Sequence, residues 1–276
     1  MSAVLEFTLL GVGSSGGVPR SDGDWGVCDP LEPRNHRSRC SMLVRRKGAG
    51  PGDASPLGET TLVVDTAPEF RQQAAQAGVR RLDAVLLTHE HADQTHGLDD
   101  VRAFYLRQGV QIPCHMDAAT ETAMTRRFEY IFEGQAGYPA ICSHHAIPPH
   151  GMPWRIEGPS GAIPITTFDQ DHGSVRSVGY RFGDVAYSSD VVGLDEAAFA
   201  ALEGLDVWIV DALRHRPHPT HASVSQALAW IERLKPRRAI LTDLHIDLDY
   251  ARLKGELPPG VEPAYDGLRF EHQISD

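Results

Sequence analysis

A ten-residue stretch, THEHADQTHG at residues 88–97, constrains this chain more than any other part of its sequence. It follows the apolar run 84–87, which is too short for a helix and predicts a buried strand. His89 and His91 are two residues apart, so an extended backbone directs both imidazoles to one side, and Asp93 comes two residues later. Imidazole and carboxylate groups so arranged are typical of a site for zinc, manganese or iron.

Other metal-capable side chains follow predicted strands in the same way. His172, Asp190 and His245 each come at or shortly after the end of an apolar run. Strands that alternate with helices predict a layered α/β domain, and loops that leave one edge of its sheets can converge on one pocket. A two-metal centre is therefore expected, with the Asp190 carboxylate as the bridge, and such a centre can generate hydroxide to cleave an ester or phosphodiester.

Composition is ordinary for a globular protein, and the net charge limits what it can bind. The 276 residues include 41% hydrophobic and 23% charged residues, and we expect a single domain over 1–276. A formal net charge of −11 disfavours binding to extended nucleic acid, because an acidic field repels the phosphate backbone. The basic, histidine-rich segment 214–221 remains compatible with a small anion.

The sequence also indicates the compartment. It begins without a signal peptide and contains no apolar run of membrane-spanning length, so we expect a cytoplasmic protein with no membrane association. Four cysteines, with no CxxC pair, predict reduced thiols and exclude a structural zinc site of the usual spacing.

Local signals mark several element boundaries. Thr66 is predicted to cap a helix with Pro68 in its first turn, and Ser223 begins an S-x-x-Q capping box. Residues 48–56 are predicted to form a turn. Asp65 ends a predicted strand and could either accept hydrogen bonds from neighbouring loops or lie near the metals. The glycine-rich loop 11–17 is not followed by a helix, which excludes a dinucleotide-binding fold.

Taken with these motifs, the sequence resembles the metallo-β-lactamase superfamily, whose signature HxHxDH is followed by a distant His, Asp and His. The glycine loop ending in Val18-Pro19, the segments 65–68 and 88–97, and the run 242–245 look most like the PhnP-type cyclic phosphodiesterases, with tRNase Z a more distant relative. The resemblance implies an αββα four-layer sandwich and, since dimers are common in this family, a homodimer.

The resemblance also implies roles for individual residues. The first metal ion would bind His89, His91 and His172, the second would bind Asp93 and His245, and Asp190 would bridge them. His221 matches a family histidine that precedes a Ser/Thr-rich helix start and donates a proton to the leaving oxygen. His218 is a second candidate for phosphate contact or proton transfer, since histidine titrates near neutrality, and Asp93 joins these two among the catalytic candidates.

Three departures from the family pattern are present. Gln94 stands where the family has a histidine ligand of the second metal, so the second site is expected to be weaker or to prefer manganese over zinc, unless His96 substitutes. Cys28 alone cannot supply the cysteine cluster of an accessory zinc. The chain also has no long, basic, glycine-rich arm of the kind with which tRNase Z grips tRNA.

The predicted function is a metal-dependent phosphodiesterase that cleaves small, cyclic phosphate diesters by metal-bound hydroxide, with two divalent ions, zinc or manganese. Two alternatives stay open. The same metal centre could hydrolyse a lactone or thioester, or the chain could be a non-catalytic binding or carrier protein whose second metal site is eroded at Gln94.

Overall fold

The computed structural model describes residues 2–47 and 58–275, and the turn predicted at 48–56 lies outside these residues. The first of two seven-stranded sheets has antiparallel strands at one side and parallel strands at the other. Its strands, in spatial order, are β14 (Arg269–Ser275), β1 (Ser2–Gly11), β2 (Ser41–Arg46), β3 (Thr60–Val64), β4 (Ala84–Leu86), β5 (Ile112–Met116) and β6 (Cys142–Ala146).

The second sheet is also mixed: its first four strands along the chain form antiparallel hairpins, and its last ones are parallel. Its strands, in spatial order, are β13 (Val261–Pro263), β12 (Arg238–Thr242), β11 (Val207–Asp211), β10 (Val185–Ser188), β9 (Val175–Phe182), β8 (Ile163–His172) and β7 (Trp154–Ile156).

Helices connect the parallel strands of both sheets. They are α1 (Phe70–Gln76), α2 (Ala92–Thr95), α3 (Arg102–Gln108), α4 (Ala118–Arg127), α5 (Glu129–Phe132), α6 (Glu196–Ala201), α7 (Val224–Leu234) and α8 (Tyr250–Glu256), with 3₁₀ turns at Pro33–Asn35 and Leu98–Val101. Among the helices within 2–47 and 58–275, none combines the length and apolar character needed to cross a membrane.

Alternating side chains place three apolar cores between four layers. Leu62 and Val64 of β3 pack in a cluster with Ile209 of the second sheet, so this cluster fills the space between the sheets. Val63, which points the other way, belongs to a cluster with Phe70 of α1.

The second sheet is covered in the same manner on its outer face. Trp208 of β11 packs in a cluster with Ile231 of α7 and Leu253 of α8. The order is helices, sheet, sheet, helices, which confirms the predicted αββα sandwich. The four cysteines are free and buried, as predicted.

The loops that leave the strand ends begin with an unusual backbone turn. Asp65, Asp190 and Asp243 follow β3, β10 and β12, and they have φ angles of 61°, 55° and 60°. Aspartate is among the few residues other than glycine that adopt this left-handed region readily. The chain therefore turns sharply at each strand end, which brings the three carboxylates toward one edge of the sandwich.

Two of the predicted helix starts have different outcomes. The Ser223 hydroxyl accepts a hydrogen bond from the Gln226 N–H at 3.3 Å, and α7 begins at the next residue, as the capping box predicts. The cap predicted at Thr66 is wrong, because α1 begins only at Phe70. The Thr66 N–H instead donates to the carbonyl oxygen of Gln94, which joins this segment to the 88–97 stretch.

Gly97 is required where these two segments meet. A Cβ atom at this position would lie 2.1 Å from the carbonyl oxygen of Ala67 and 2.7 Å from the Cβ of Phe70. We expect Gly97→Ala to lower the free energy of unfolding by about 1–3 kcal/mol, since the backbone must move to admit the methyl group. Urea denaturation followed by circular dichroism measures this change.

The matched control is Gly255→Ala in the exposed part of α8, where an added Cβ meets nothing within 4 Å. This change is expected to stabilise the protein by roughly 0.5–1 kcal/mol, because alanine loses less backbone entropy than glycine in a helix. Equal effects of the two substitutions would contradict the close approach at Gly97.

Candidate metal centre

Three histidines converge at the edge of the sandwich. His89 and His91 follow β4, and His172 is the last residue of β8, so the two sheets contribute to one cluster. One ring nitrogen from each lies within 4.8 Å of the others, and His91 Nδ1 is 3.3 Å from His172 Nε2. Two nitrogen ligands of a tetrahedral zinc ion, each 2.0–2.1 Å from the metal, lie about 3.3 Å apart. The three rings therefore fit a divalent metal ion.

In two of the rings, the outer nitrogen carries the proton and donates a hydrogen bond, which leaves the nitrogen that faces the cluster without a proton. The Nδ1–H of His172 donates to the carbonyl oxygen of Thr220 at 2.7 Å. The Thr88 hydroxyl donates to Asp65, so at 3.0 Å its oxygen accepts from the Nδ1–H of His89. His89 Nε2 is buried and has no hydrogen-bond partner among the described residues. Such outer partners orient ligand histidines in metal sites, and Asp65 holds Thr88, which is the outer partner of His89.

The charges of the cluster suit a cation. Burial lowers the pKa of His89 to about 3 and also lowers that of His172, so both rings are neutral near pH 7. Burial alone would raise the pKa of Asp190, but the neighbouring histidines, His89, His221 and His172, lower it when they are protonated, and His221 is the one of the three whose own pKa is raised. The neutral imidazoles of His89 and His172 and the carboxylate of Asp190 are a favourable set of donors for zinc or a similar ion.

The two oxygens of Asp190 have different surroundings. Oδ1 lies 3.6 Å from His172 Nε2, 3.9 Å from His89 Nε2 and 3.8 Å from His221 Nε2. His172, Asp190 and His221 form a second group whose donor atoms could hold an ion. Oδ2 instead accepts hydrogen bonds from the Gln94 amide and the Ser189 hydroxyl. Only one side of this carboxylate faces the histidines.

His221 is held against the cluster from behind. Its Nδ1–H donates to Asp211 Oδ2 at 2.7 Å, and Asp211, which is fully buried, also accepts from the Val191 N–H. Burial favours a neutral ring, but the carboxylates of Asp211 and Asp190 outweigh it and raise the pKa of His221 above its usual value. The ring can therefore carry a proton at Nε2, beside Asp190.

The remaining predicted site residues lie around this cluster. Half-buried His218 has its ring centroid 5.2 Å from that of His221. Burial raises the pKa of Asp93 to about 6, and nearby Asp190 adds to this effect although His91 and His221 oppose it. Within the described ranges, neither group of candidate ligands includes Asp93 or His245.

His245 and His96 face other partners. Arg20 donates to His245 Nε2 at 2.7 Å, and His245 Nδ1 lies 3.3 Å from a carboxylate oxygen of Asp247. At the end of β12, Asp243 rather than His245 contacts Asp190, because Asp243 Oδ2 accepts the Asp190 N–H at 3.3 Å. His96 is exposed, and its ring packs against Phe128.

Comparison with known proteins agrees with this geometry. Residues 60–246 match the family model described as "Beta-lactamase superfamily domain". This chain belongs to the metallo-β-lactamase superfamily. The matched range contains the three clustered histidines, Asp190 and His221, and the superfamily generally uses divalent metals and includes hydrolases.

Individual members of the superfamily differ in their similarity to the chain. A crystal structure described as a new diphosphatase from the PhnP family is 32% identical, with a TM-score of 0.85 and 99% of each chain covered. This similarity confirms the resemblance to the PhnP-like branch. The short form of human tRNase Z is 14% identical, with a TM-score of 0.64 over 96% of this chain and 98% of that one, and it shares the fold.

A curated relative from Porphyromonas gingivalis, named octanoyltransferase, is 29% identical over 265 residues. The match covers 94% of this chain and 50% of the relative, so the chain spans about half the length of that protein.

Sequence reasoning missed three side chains of this superfamily site. Asp211 orients His221, Ser189 donates to Asp190, and Asp243 contacts the backbone of Asp190. Asp211 and Asp243 come at the ends of β11 and β12, and position after a strand is the same signal that identified Asp190. That signal could have included them, whereas the role of Ser189 depends on its rotamer.

Proposed function

We propose that this protein is a metal-dependent phosphodiesterase that hydrolyses small, cyclic phosphate diesters. The observation that carries the proposal is the position of His221, whose Nε2 lies 3.8 Å from Asp190 Oδ1 beside the histidine cluster while Asp211 accepts a hydrogen bond from its other nitrogen. A non-catalytic carrier would have no need of an Asp–His pair aimed at its metal ligands. A phosphodiesterase needs one, since an alkoxide leaving group must be protonated.

The divalent ion, when bound by the three histidines and Asp190, would lower the pKa of a coordinated water and offset charge on the phosphate oxygens. His221 then supplies the proton to the leaving sugar oxygen from Nε2. Asp211 keeps the ring in the required orientation and stabilises its protonated form. Asp211 is fully buried, whereas the His221 side chain is 13% exposed.

Basic groups beside the cluster are suited to hold the phosphate. Arg20 contacts His245, and burial lowers the pKa of His245, with Arg20 and Arg214 adding to this effect although Asp247 opposes it. The pKa of His218 is lowered by burial and, further, by His221 and Arg214. Both histidines are therefore neutral near pH 7, and Arg20 and Arg214 supply the local positive charge, while the net charge of −11 disfavours long nucleic acids. A small phosphate ester fits both conditions.

A second candidate is hydrolysis of an acyl ester, thioester or lactone at the same centre. It is supported by the octanoyltransferase from P. gingivalis, whose name indicates chemistry on an acyl group. That support is limited, because the acyl chemistry of a protein twice as long can belong to its other half. The PhnP-family diphosphatase, which matches over its whole length, favours phosphate chemistry.

A substrate panel tests the two candidates. The purified protein, supplied with Zn²⁺ or Mn²⁺, is expected to hydrolyse ribose cyclic phosphates, cyclic nucleotides or an aryl phosphodiester in preference to lactones and an octanoyl thioester. A nucleoside diphosphate belongs in the panel because of the diphosphatase relative. The His89→Ala variant, purified identically, measures activity from contaminating enzymes. Turnover of the thioester or lactone without turnover of any phosphate ester would reject the proposal.

A further inference from the structure

The second metal position of this superfamily site differs from the first in the donor atoms that could bind an ion. The first position has three imidazoles whose free nitrogens converge, together with Asp190 Oδ1. The second lies on the other side of Asp190, where the family signature has a histidine and this chain has Gln94. Asp190 Oδ1 faces the first position, and its second oxygen, Oδ2, faces Gln94.

Asp190 Oδ2 already has two donors. Gln94 Nε2 donates to it at 2.8 Å and the Ser189 hydroxyl donates at 2.5 Å, and all three side chains are buried. The amide nitrogen of Gln94, not its oxygen, must face Asp190, because an ionised carboxylate can only accept hydrogen bonds. A second cation bound to this oxygen would have to displace both donors.

The end of β12 supplies no imidazole to this position either. Asp243 Oδ2 accepts the Asp190 N–H, and Asp243 Oδ1 accepts the Cys40 thiol at 3.1 Å, so both oxygens of this buried carboxylate are engaged. His245 contacts Arg20 instead. The donors that remain are His221, which belongs to the second group of candidate ligands, Asp93, and Gln94 Oε1, which is buried and has no partner among the described residues.

We infer that this centre binds one divalent ion, on His89, His91, His172 and Asp190, and that the Gln94 amide takes the place of a second ion by hydrogen bonding to Asp190. Asp93, the Gln94 amide oxygen and His221, whose other nitrogen contacts Asp211, include one imidazole, which makes them a weaker set of donors for zinc than the three imidazoles of the first position. The inference goes beyond the proposed function. It concerns the number of ions only, and it stands whether the substrate is a phosphodiester or an acyl ester.

Metal stoichiometry tests this inference directly. The wild-type protein, stripped with chelator, reloaded with excess Zn²⁺ or, separately, Mn²⁺, and freed of unbound ion by gel filtration, is expected to contain one ion per chain by mass spectrometry. Calorimetric titration of the stripped protein should show one binding step. Two tightly bound ions per chain would overturn the inference, and neither measurement depends on activity toward any substrate.

Variants at Gln94 and Asp243 test whether Gln94 is the reason that a second ion does not bind. Gln94→Ala removes the amide but no ligand, so its count is expected to stay at one ion, and loss of an ion would show that Gln94 is itself a ligand. Gln94→His combined with Asp243→His supplies two imidazoles, and we expect this double variant to bind two ions per chain. A double variant with a wild-type circular dichroism spectrum and one ion would overturn the role given to Gln94.

Discussion

The His89→Ala variant is expected to lose the metal ion and, with it, essentially all hydrolytic activity. His89 is fully buried, and its Nε2 faces the cluster without any other partner among the described residues, so no neighbouring group can take its place. Loss of an outer hydrogen-bond partner of a ligand typically costs about 10- to 100-fold in metal affinity, and loss of the ligand itself costs more. Metal content by mass spectrometry, together with kcat/KM, measures the effect.

Two further substitutions serve as controls for the loss of metal in His89→Ala. His96→Ala removes an exposed histidine from the same stretch and is expected to leave metal content and activity unchanged. Thr88→Val keeps the ligand but removes the hydroxyl that accepts from His89 Nδ1, so metal affinity should fall by about 10- to 100-fold. Full metal occupancy in His89→Ala would show that the ion binds elsewhere.

The His221→Ala variant is expected to retain the metal ion but to lose about 10²- to 10⁴-fold in kcat on a substrate whose leaving group is a sugar hydroxyl. The loss should be much smaller on an activated aryl phosphodiester, because a nitrophenolate leaves without protonation. Rates on the two substrates, measured on protein of known metal content, separate proton donation from other roles.

Asp211→Asn tests the same proton transfer through the residue that orients His221. It leaves the His221 imidazole in place but removes the charge that orients and protonates it, so an intermediate loss with the same dependence on leaving group is expected. If both substrates lose activity equally in His221→Ala, His221 is not the proton donor. If that variant also loses metal, His221 is a ligand of the second group that contains Asp190.

Much of the fold and the first half of the site could be predicted from the sequence. Apolar runs followed by histidine or aspartate identify β4 with His89 and His91, and β8 with His172, because strand ends meet at one edge of a sheet. The pairing of β1 with β14 is different. It joins the two ends of the chain across a long sequence separation, and no local periodicity encodes it.

The contacts around Asp190 and His221 could not be predicted, because they depend on backbone turns and rotamers that a sequence pattern does not contain. At the end of β12 the sequence offers both Asp243 and His245, and the resemblance to the superfamily assigns His245 to the second metal. The left-handed turn at Asp243 instead directs this residue to Asp190. Similarly, the hydrogen bond from Gln94 to Asp190 depends on a rotamer, and the approach of Asp211 to His221 depends on how a strand end meets a loop ten residues later.

The placement of the donors on separate sheets has a thermodynamic consequence. His89 and His91 come from the loop after β4 of one sheet, whereas His172 and Asp190 come from the ends of β8 and β10 of the other. An ion held by all four cross-links the two halves of the sandwich, and since the unfolded chain has no such site, binding adds to folding stability. At a free ion concentration 1,000 times the Kd this contribution is about 4 kcal/mol. The free energy of unfolding of the whole sandwich therefore rises with the concentration of free metal ion.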